Sequence, residues 1–291
     1  MAIIAVADGT GGIGRALVEA ITSRGRHEVK ILSRKANDSL TKETVVPVIA
    51  VDYTDVEEVT RALRLSHQEM LPSVPMKLLA AAELQKSDLE HTVFYPGFLL
   101  DYYAGPSIKS YMSPLIVVID MENNMAAVPG SGNTPVAFTH SLDIGRYVEA
   151  TLNLEKWDSS YRIVGDKSTW NDFVKSAEIA KGKFNFYRTA EALCLPVGLV
   201  DDLTGTPFKI VHDSIEDLKK GRVTILPAVD KYLHLMSVPN KEVLSEFLGT
   251  FGQLFADGTF NIKEEGALNE IFPEIKPLTI KEAVEAAAKS T

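Results

Sequence analysis

Cysteine is almost absent: the 291 residues include one, Cys194. A single thiol excludes an internal disulfide and a cysteine-based zinc cluster, and fits a reducing compartment, so the cytoplasm is the expected location. Long apolar runs are missing as well. No stretch approaches the roughly 18 consecutive apolar residues of a membrane span, and the apolar opening Ile3-Ile4-Ala5-Val6-Ala7 meets Asp8 at once without a basic flank, unlike a signal-peptide core. Basic excess is lacking too. Thirty Lys and Arg against 39 Asp and Glu leave a net charge of −9 with the signs intermixed, which excludes a nucleic-acid footprint and means that any anionic ligand is held locally. None of the nine tyrosines has a lysine four residues on, so the Tyr-x-x-x-Lys pair, in which lysine lowers the phenol pKa, is not available. H-E-x-x-H, G-x-S-x-G and the P-loop are absent, and no metal site is expected.

What is present is a chain with 45% apolar side chains, enough to bury a full core. Residues 3–7 read as a short buried strand. Residues 12–24 follow with Ile13, Ala16, Leu17, Ala20 and Ile21 at helical spacing. Strands are expected at 29–32 and 45–51, and a helix at 55–65, which together make a mononucleotide-binding half. A second helix is expected at 75–87 and a strand at 91–95, ended by Pro96-Gly97. Residues 115–119 and 125–128 flank the Asn-rich reversal 122–124 as a hairpin. Helices are expected at 141–152 and 168–181, strands at 161–164 and 208–211, and further helices at 215–220, 241–255 and 280–288.

Between the first strand and helix lies Asp8-Gly9-Thr10-Gly11-Gly12-Ile13-Gly14. Here Gly9, Gly11 and Gly14 satisfy G-x-G-x-x-G in a strand-turn-helix context, where free backbone N–H groups and the positive end of the helix dipole face a pyrophosphate. Gly9, Thr10, Gly11, Gly12, Ile13 and Gly14 are therefore the candidate cofactor-binding turn. After the second strand an NAD enzyme would carry a ribose-binding acid; this chain has Ser33, Arg34 and Lys35, and two cations favour a 2′-phosphate, hence NADP(H) over NAD(H). Asp52 is a candidate to accept from the adenine amino group, or else a cap.

The run from Val6 to Arg15, Ser33-Arg34, Val51-Asp52, Val93-Phe94-Tyr95-Pro96-Gly97-Phe98, Phe138-Thr139-His140 and Leu268-Asn269-Glu270-Ile271-Phe272-Pro273 together resemble the NmrA-like and isoflavone-reductase-like group of atypical short-chain dehydrogenases, the fungal branch most closely. That resemblance covers most of the chain. It implies a Rossmann domain with NADPH preference and a C-terminal substrate domain. Members are either reductases of small, often aromatic or phenolic, molecules or redox-sensing regulators that bind the dinucleotide without turnover. In the family turn, G-x-x-G-x-x-G, the first glycine corresponds to Asp8.

Two stretches depart from that pattern. Residues 65–74 are too few for the strand-helix-strand that completes the cofactor crevice, so one or two strands are missing, or 91–95 takes the vacant place beside the first strand. Residues 184–207 read as an insertion. A skipped exon and a retained intron would account for the pair. The reductase branch uses a helix lysine, and Lys77 is the basic residue near that position; a solvated lysine is the plain alternative. His140 with Asp143 resembles an acid/base pair, or helix caps. Tyr95, Phe98, Tyr102 and Tyr103 either line an aromatic-accepting pocket or pack in the core.

The expected protein is thus α/β, a Rossmann-type parallel sheet at 1–165 followed by a smaller, mostly helical substrate region at 166–291. It would be an NADP-dependent reductase of a small molecule; the alternatives are a non-catalytic NADP-sensing regulator with a protein partner, or an inactive truncated relative.

Overall fold

The structure is a computed structural model that describes residues 2–33, 35, 37–50, 82, 85–86, 90–193, 205–236 and 240–290. The chain divides into two compact units, one of residues 1–95, 141–163 and 264–275, the other of 96–140, 164–263 and 276–291. Strand pairing is the reason: strands within 96–140 bond to strands that lie after residue 165, which ties both stretches to one core.

In the first unit β1 (Ile3–Ala7), β2 (Glu28–Ser33) and β3 (Val48–Ala50) form a parallel sheet in the order β1-β2-β3. Helix α1 (Gly12–Arg24) connects β1 to β2, and its Val18 and Ile21 pack with Val6, Val29 and Ile31 of the strands. Burying such side chains contributes about 1.5–3 kcal/mol each. Between β2 and β3 lies α2 (Asp38–Thr44), where the sequence suggested only a connection and an early strand. Asn37 caps it by accepting from the Leu40 N–H, and Val45 closes it at φ 59, so residues 45–47 are not strand. The expected helix 55–65 and all but residues 82 and 85–86 of the helix 75–87 lie outside the described residues. Strand β4 (Val93–Tyr95) pairs in parallel with β9 (Ser160–Arg162); among the described residues it does not take the place beside β1. Helix α3 (Ser141–Thr151) packs on α1 through Gly145, where an added Cβ would lie 2.8 Å from the Ala16 carbonyl oxygen and 3.0 Å from Ala20 Cβ.

The second unit combines short sheets with helices. Strand β8 (Val136–Thr139) pairs in parallel with β5 (Phe98–Leu99) and antiparallel with β10 (Asp166–Ser168). Strand β7 (Met125–Pro129) pairs antiparallel with β6 (Ile119–Asp120), the expected hairpin, and in parallel with β11 (Lys209–Asp213). Around these sheets an aromatic core gathers Phe98, Tyr103, Phe138, Trp170, Phe173 and Phe255. Phe138 meets Trp170 edge-on at a centroid distance of 5.2 Å, the arrangement that ring quadrupoles favour. Trp170 opens α4 (Trp170–Leu193), which continues past Lys181, so the first ten residues of the stretch read as an insertion extend this helix. Helices α5 (Ile215–Lys219), α6 (Ala228–Tyr232), α7 (Lys241–Ala256) and α9 (Ile280–Ala288) belong to the same unit, while the short α8 (Leu268–Ile271) belongs to the first. Thr279 and Glu282 cap α9 reciprocally.

Two substitutions in the first unit test these packing arguments by urea unfolding. Gly145→Ala is expected to destabilise by about 1–3 kcal/mol, because the new methyl meets backbone that has to move. Val45→Asn is expected to stabilise by about 1 kcal/mol: Val45 is 87% exposed, so no packing is lost, and Asn tolerates the left-handed conformation.

Candidate functional site

In the turn after β1, Gly9, Gly12 and Gly14 each meet a different demand. Asp8 sits at φ 54 with its N–H donating to the Leu32 carbonyl at 3.1 Å. The position that is glycine in the family turn is thus left-handed here, and Asp is among the side chains that tolerate it. Gly9 is buried, and a Cβ there would lie 3.0 Å from Val18 and 3.2 Å from Ile31. Gly12 takes φ 51. At Gly14 a Cβ would lie 2.3 Å from the Asp8 carbonyl oxygen, so the helix approaches the strand as closely as it does only because Gly14 has no side chain. Gly11 differs from all of these: it is extended, and among the described residues no atom beyond its chain neighbours lies within 4 Å of where a Cβ would stand.

Helix α1 therefore starts with Gly11 as N-cap, no side-chain cap and no acidic residue in its first turn. The leading N–H groups of a helix have no intrahelical acceptors, and their dipole favours an anion. Thr10 and Ile13 are half-buried beside them. Arg15 is buried and its Nη2 pairs with Glu43 Oε1 of α2 at 2.9 Å, bracing the two helices. Lys35 is exposed; Arg34, Asp52 and Lys77 lie outside the described residues.

The second unit contains a cavity of about 660 Å³, within the range of small-molecule sites. Tyr102, Tyr103, Ile108, Met112, Leu115 and Ile119 contribute to its apolar lining, and Asp101, Lys109, Ser110, Asp120, Glu122 and Lys231 add polar groups. Two of the four aromatics suggested for a pocket are thus in its wall. Phe98 packs in the core and Tyr95, in the first unit, is half exposed. Burial and then the charge of Asp101 push the Tyr102 phenol up to about 12, and burial raises Tyr103 as well. Both rings are therefore neutral donors near neutrality, not acids.

His140 and Asp143, suggested as a pair by proximity in sequence, each face a different charged group. His140 Nε2 faces Asp101 Oδ1 at 3.5 Å, and Asp143 pairs with Arg146 at 3.0 Å. Asp101 was missed because it lies 39 residues from its partner, in a one-turn helix at Leu100–Tyr103 that has no motif. Among the described residues no three His, Cys, Asp or Glu side chains gather as metal ligands, and no helix is long and apolar enough to cross a membrane.

No family model matches the chain. Among curated proteins it is 29% identical over 328 aligned residues to oxidoreductase BOA1 of Botryotinia fuckeliana (strain B05.10), covering 95% of this chain and 96% of that protein. It is 24% identical over 307 residues to oxidoreductase swnN of Metarhizium robertsii (strain ARSEF 23 / ATCC MYA-3075), covering 78% and 81%. The first alignment spans 328 positions and this chain has 291 residues, so that relative carries residues without a counterpart here. Among solved structures, the ternary complex of leucoanthocyanidin reductase from Vitis vinifera superposes with a TM-score of 0.60 at 13% identity, covering 98% of both chains. Triphenylmethane reductase from Citrobacter sp., complexed with NADP(H), gives 0.59 at 13% identity, covering 99% of this chain and 100% of that one. A structure reported with the pinoresinol-lariciresinol and phenylcoumaran benzylic ether reductases gives 0.56 at 16% identity, covering 98% and 97%. The chain thus has the Rossmann-type α/β fold of NAD(P)-binding reductases, its curated relatives are fungal oxidoreductases, and the resemblance read from its motifs is borne out.

The raised tyrosines set an alkaline limit on stability. Unfolded phenols ionise near their ordinary value of 10.0, whereas Tyr102 and Tyr147 hold their protons to about 12 in the folded chain. In that window the native state binds more protons than the unfolded one, so stability falls as pH rises from 10 to 12. Chemical unfolding across this range is expected to show that fall, and Tyr102→Phe to make it shallower; an unchanged slope in the variant would contradict the assignment.

Proposed function

We propose that this chain, which shares its fold with the isoflavone-reductase-like reductases and has fungal oxidoreductases as curated relatives, is an NADP(H)-dependent reductase of a small organic molecule. The observation that carries the reading is Gly11. Packing within the protein accounts for Gly9 and Gly14, whereas among the described residues nothing beyond the chain neighbours lies within 4 Å of a Cβ at 11, at the start of α1, where no side chain caps the helix. A pyrophosphate approaching the backbone N–H groups supplies the missing requirement. The bound dinucleotide would supply hydride. In this reading residues 9–14 hold the pyrophosphate, Lys35 with Arg34 holds the 2′-phosphate, Asp52 borders adenine and Lys77 assists proton transfer. The cavity of the second unit is the substrate site. Its size and apolar lining suit a molecule such as the pinoresinol bound with NADP+ in a solved structure that matches this chain at 13% identity and a TM-score of 0.59.

Fluorescence titration of the purified chain is expected to give saturable NADPH binding with weaker NADH binding, and equal affinities would remove the role given to the two cations. Gly11→Ala is expected to weaken NADPH at least tenfold while changing stability by less than about 1 kcal/mol, the scale of an N-cap substitution. The Asp8 carboxylate lies on the turn itself and opposes a bound phosphate, so Asp8→Asn is expected to tighten NADPH several-fold, less so at high salt. NADPH bound without consumption across a panel of enones and phenolic carbonyl compounds would instead indicate a dinucleotide sensor. No binding at millimolar concentration would contradict both.

A further inference from the structure

Tyrosine hydroxyls of both units bond within the protein. Tyr103 donates to the Val117 carbonyl at 3.0 Å, Tyr147 to the Ile275 carbonyl at 3.3 Å and Tyr232 to Glu122 Oε2 at 3.3 Å, while Tyr161 accepts from the Asp158 N–H at 2.9 Å. Tyr102 departs from this pattern. It is half-buried in the wall of the second unit's cavity, and its hydroxyl makes no hydrogen bond to any described residue. A packed phenol ordinarily bonds through its oxygen, so the partner of this one is to be sought in what the cavity holds.

The protein holds the ring in place. Tyr102 packs on Phe98 at a centroid distance of 5.6 Å and sits on the one-turn helix 100–103, which Tyr103 anchors in the aromatic core. A donor fixed in this way loses little freedom when it meets an acceptor. Burial first, and then the charge of Asp101, keep the phenol protonated to about 12, so near neutrality it offers a hydrogen and carries no charge.

The surroundings of the phenol select the kind of acceptor. The described lining carries the carboxylates Asp101, Asp120 and Glu122 against the ammonium groups Lys109 and Lys231, so it has no excess of cations for an anionic ligand. Lys231 and Glu122 moreover pair with each other at 2.8 Å, and Asp120 accepts from the Asn123 and Ala228 N–H groups. Asp101, next to Tyr102 in the chain, opposes a second negative charge beside the phenol.

We propose that Tyr102 is a specificity-determining residue of this cavity: its hydroxyl donates to a neutral oxygen, a carbonyl or an ether, on an apolar ligand and discriminates against carboxylates. The inference rests on the reading of the cavity as the substrate site and names the class of substrate that site takes. A ligand without the oxygen leaves the phenol unpaired, and a carboxylate loses its hydration in an apolar wall that already holds Asp101. The phenol keeps its proton throughout, so its part is recognition.

The test uses acetonaphthone, naphthoate and naphthalene, which share one bicyclic apolar body and carry a ketone, a carboxylate or neither. Equilibrium dialysis against the full chain at neutral pH is expected to show the ketone bound about tenfold more tightly than the carboxylate. Tyr102→Phe keeps the ring and removes a hydroxyl that no described residue uses, so the variant is expected to fold. It should weaken the ketone by about threefold to tenfold, the scale of one neutral hydrogen bond, and change naphthalene by less than about twofold. A role in packing alone would move both ligands together. Infrared spectroscopy of ketone isotope-labelled at the carbonyl needs no variant: bound to the wild type, its stretch is expected to lie below that in hexane. A stretch at the hexane value, an unchanged ketone affinity in Tyr102→Phe, naphthoate bound as tightly as the ketone, or no ketone binding would each overturn the proposal. NADPH titration of the same samples separates it from the reductase reading. Tyr102-dependent ketone binding without NADPH binding removes that reading and supports the donor role, whereas NADPH binding with a ketone affinity indifferent to Tyr102 does the reverse.

Discussion

The close approach of helix α1 to strand β1 at Gly14 is the constraint on which the rest of the first unit depends. With the Asp8 carbonyl 2.3 Å from where a Cβ would stand, any side chain at 14 pushes the helix outward. That displacement would also move Val18 and Ile21 off the sheet and shift the leading N–H groups of the helix. The helix is pinned a second time at Gly145, where α3 closes on Ala16 and Ala20. A helix fixed at both faces presents its N-terminus at a set distance from the strand end. That fixed geometry is what an anion site made of backbone needs, since backbone dipoles cannot adjust as side chains do.

Within the second unit the corresponding organiser is the aromatic core on the β5-β8-β10 sheet. Tyr103 belongs to that core and also donates from its hydroxyl to the Val117 carbonyl at 3.0 Å, tying the one-turn helix of residues 100–103 to the strand-like segment before β6. Asp101 and Tyr102 sit on that same helix, so the packing of one tyrosine sets the position of the carboxylate and phenol that face the cavity. Val118, β-branched at φ 58 and buried, adds a strained backbone position beside the same segment. Strain of this kind costs roughly 1–3 kcal/mol and persists where surrounding packing over-determines it.

How much of this was legible in sequence follows from the range of the interactions concerned. The geometry of the Gly-rich turn was legible because its demands are local: left-handed backbone, close approach and a helix start without a side-chain cap all fall within seven residues. The hairpin around Asn123 and the long helices announced themselves by period. Helix α2 did not, because seven residues opened by Asn37-Asp38-Ser39 look like a turn, and its C-terminal Val45 is the residue type least expected in the left-handed region. The division into two units was illegible for a different reason: it is set by which strands pair, β5 with β8 and β7 with β11, and register across such separations leaves no mark in composition. The contact of His140 with Asp101 shares that origin: neither residue carries a motif, and proximity in sequence pointed to Asp143 instead.

The central claim is that the N–H groups at the start of α1 bind the phosphates of a dinucleotide. Hydrogen–deuterium exchange of the amides of residues 11–14, followed as NADPH is added to the intact chain, tests it most directly. The account predicts slower exchange at these amides that saturates with NADPH and is weaker with NADH. Exchange at 11–14 that does not change while NADPH binds elsewhere would contradict it.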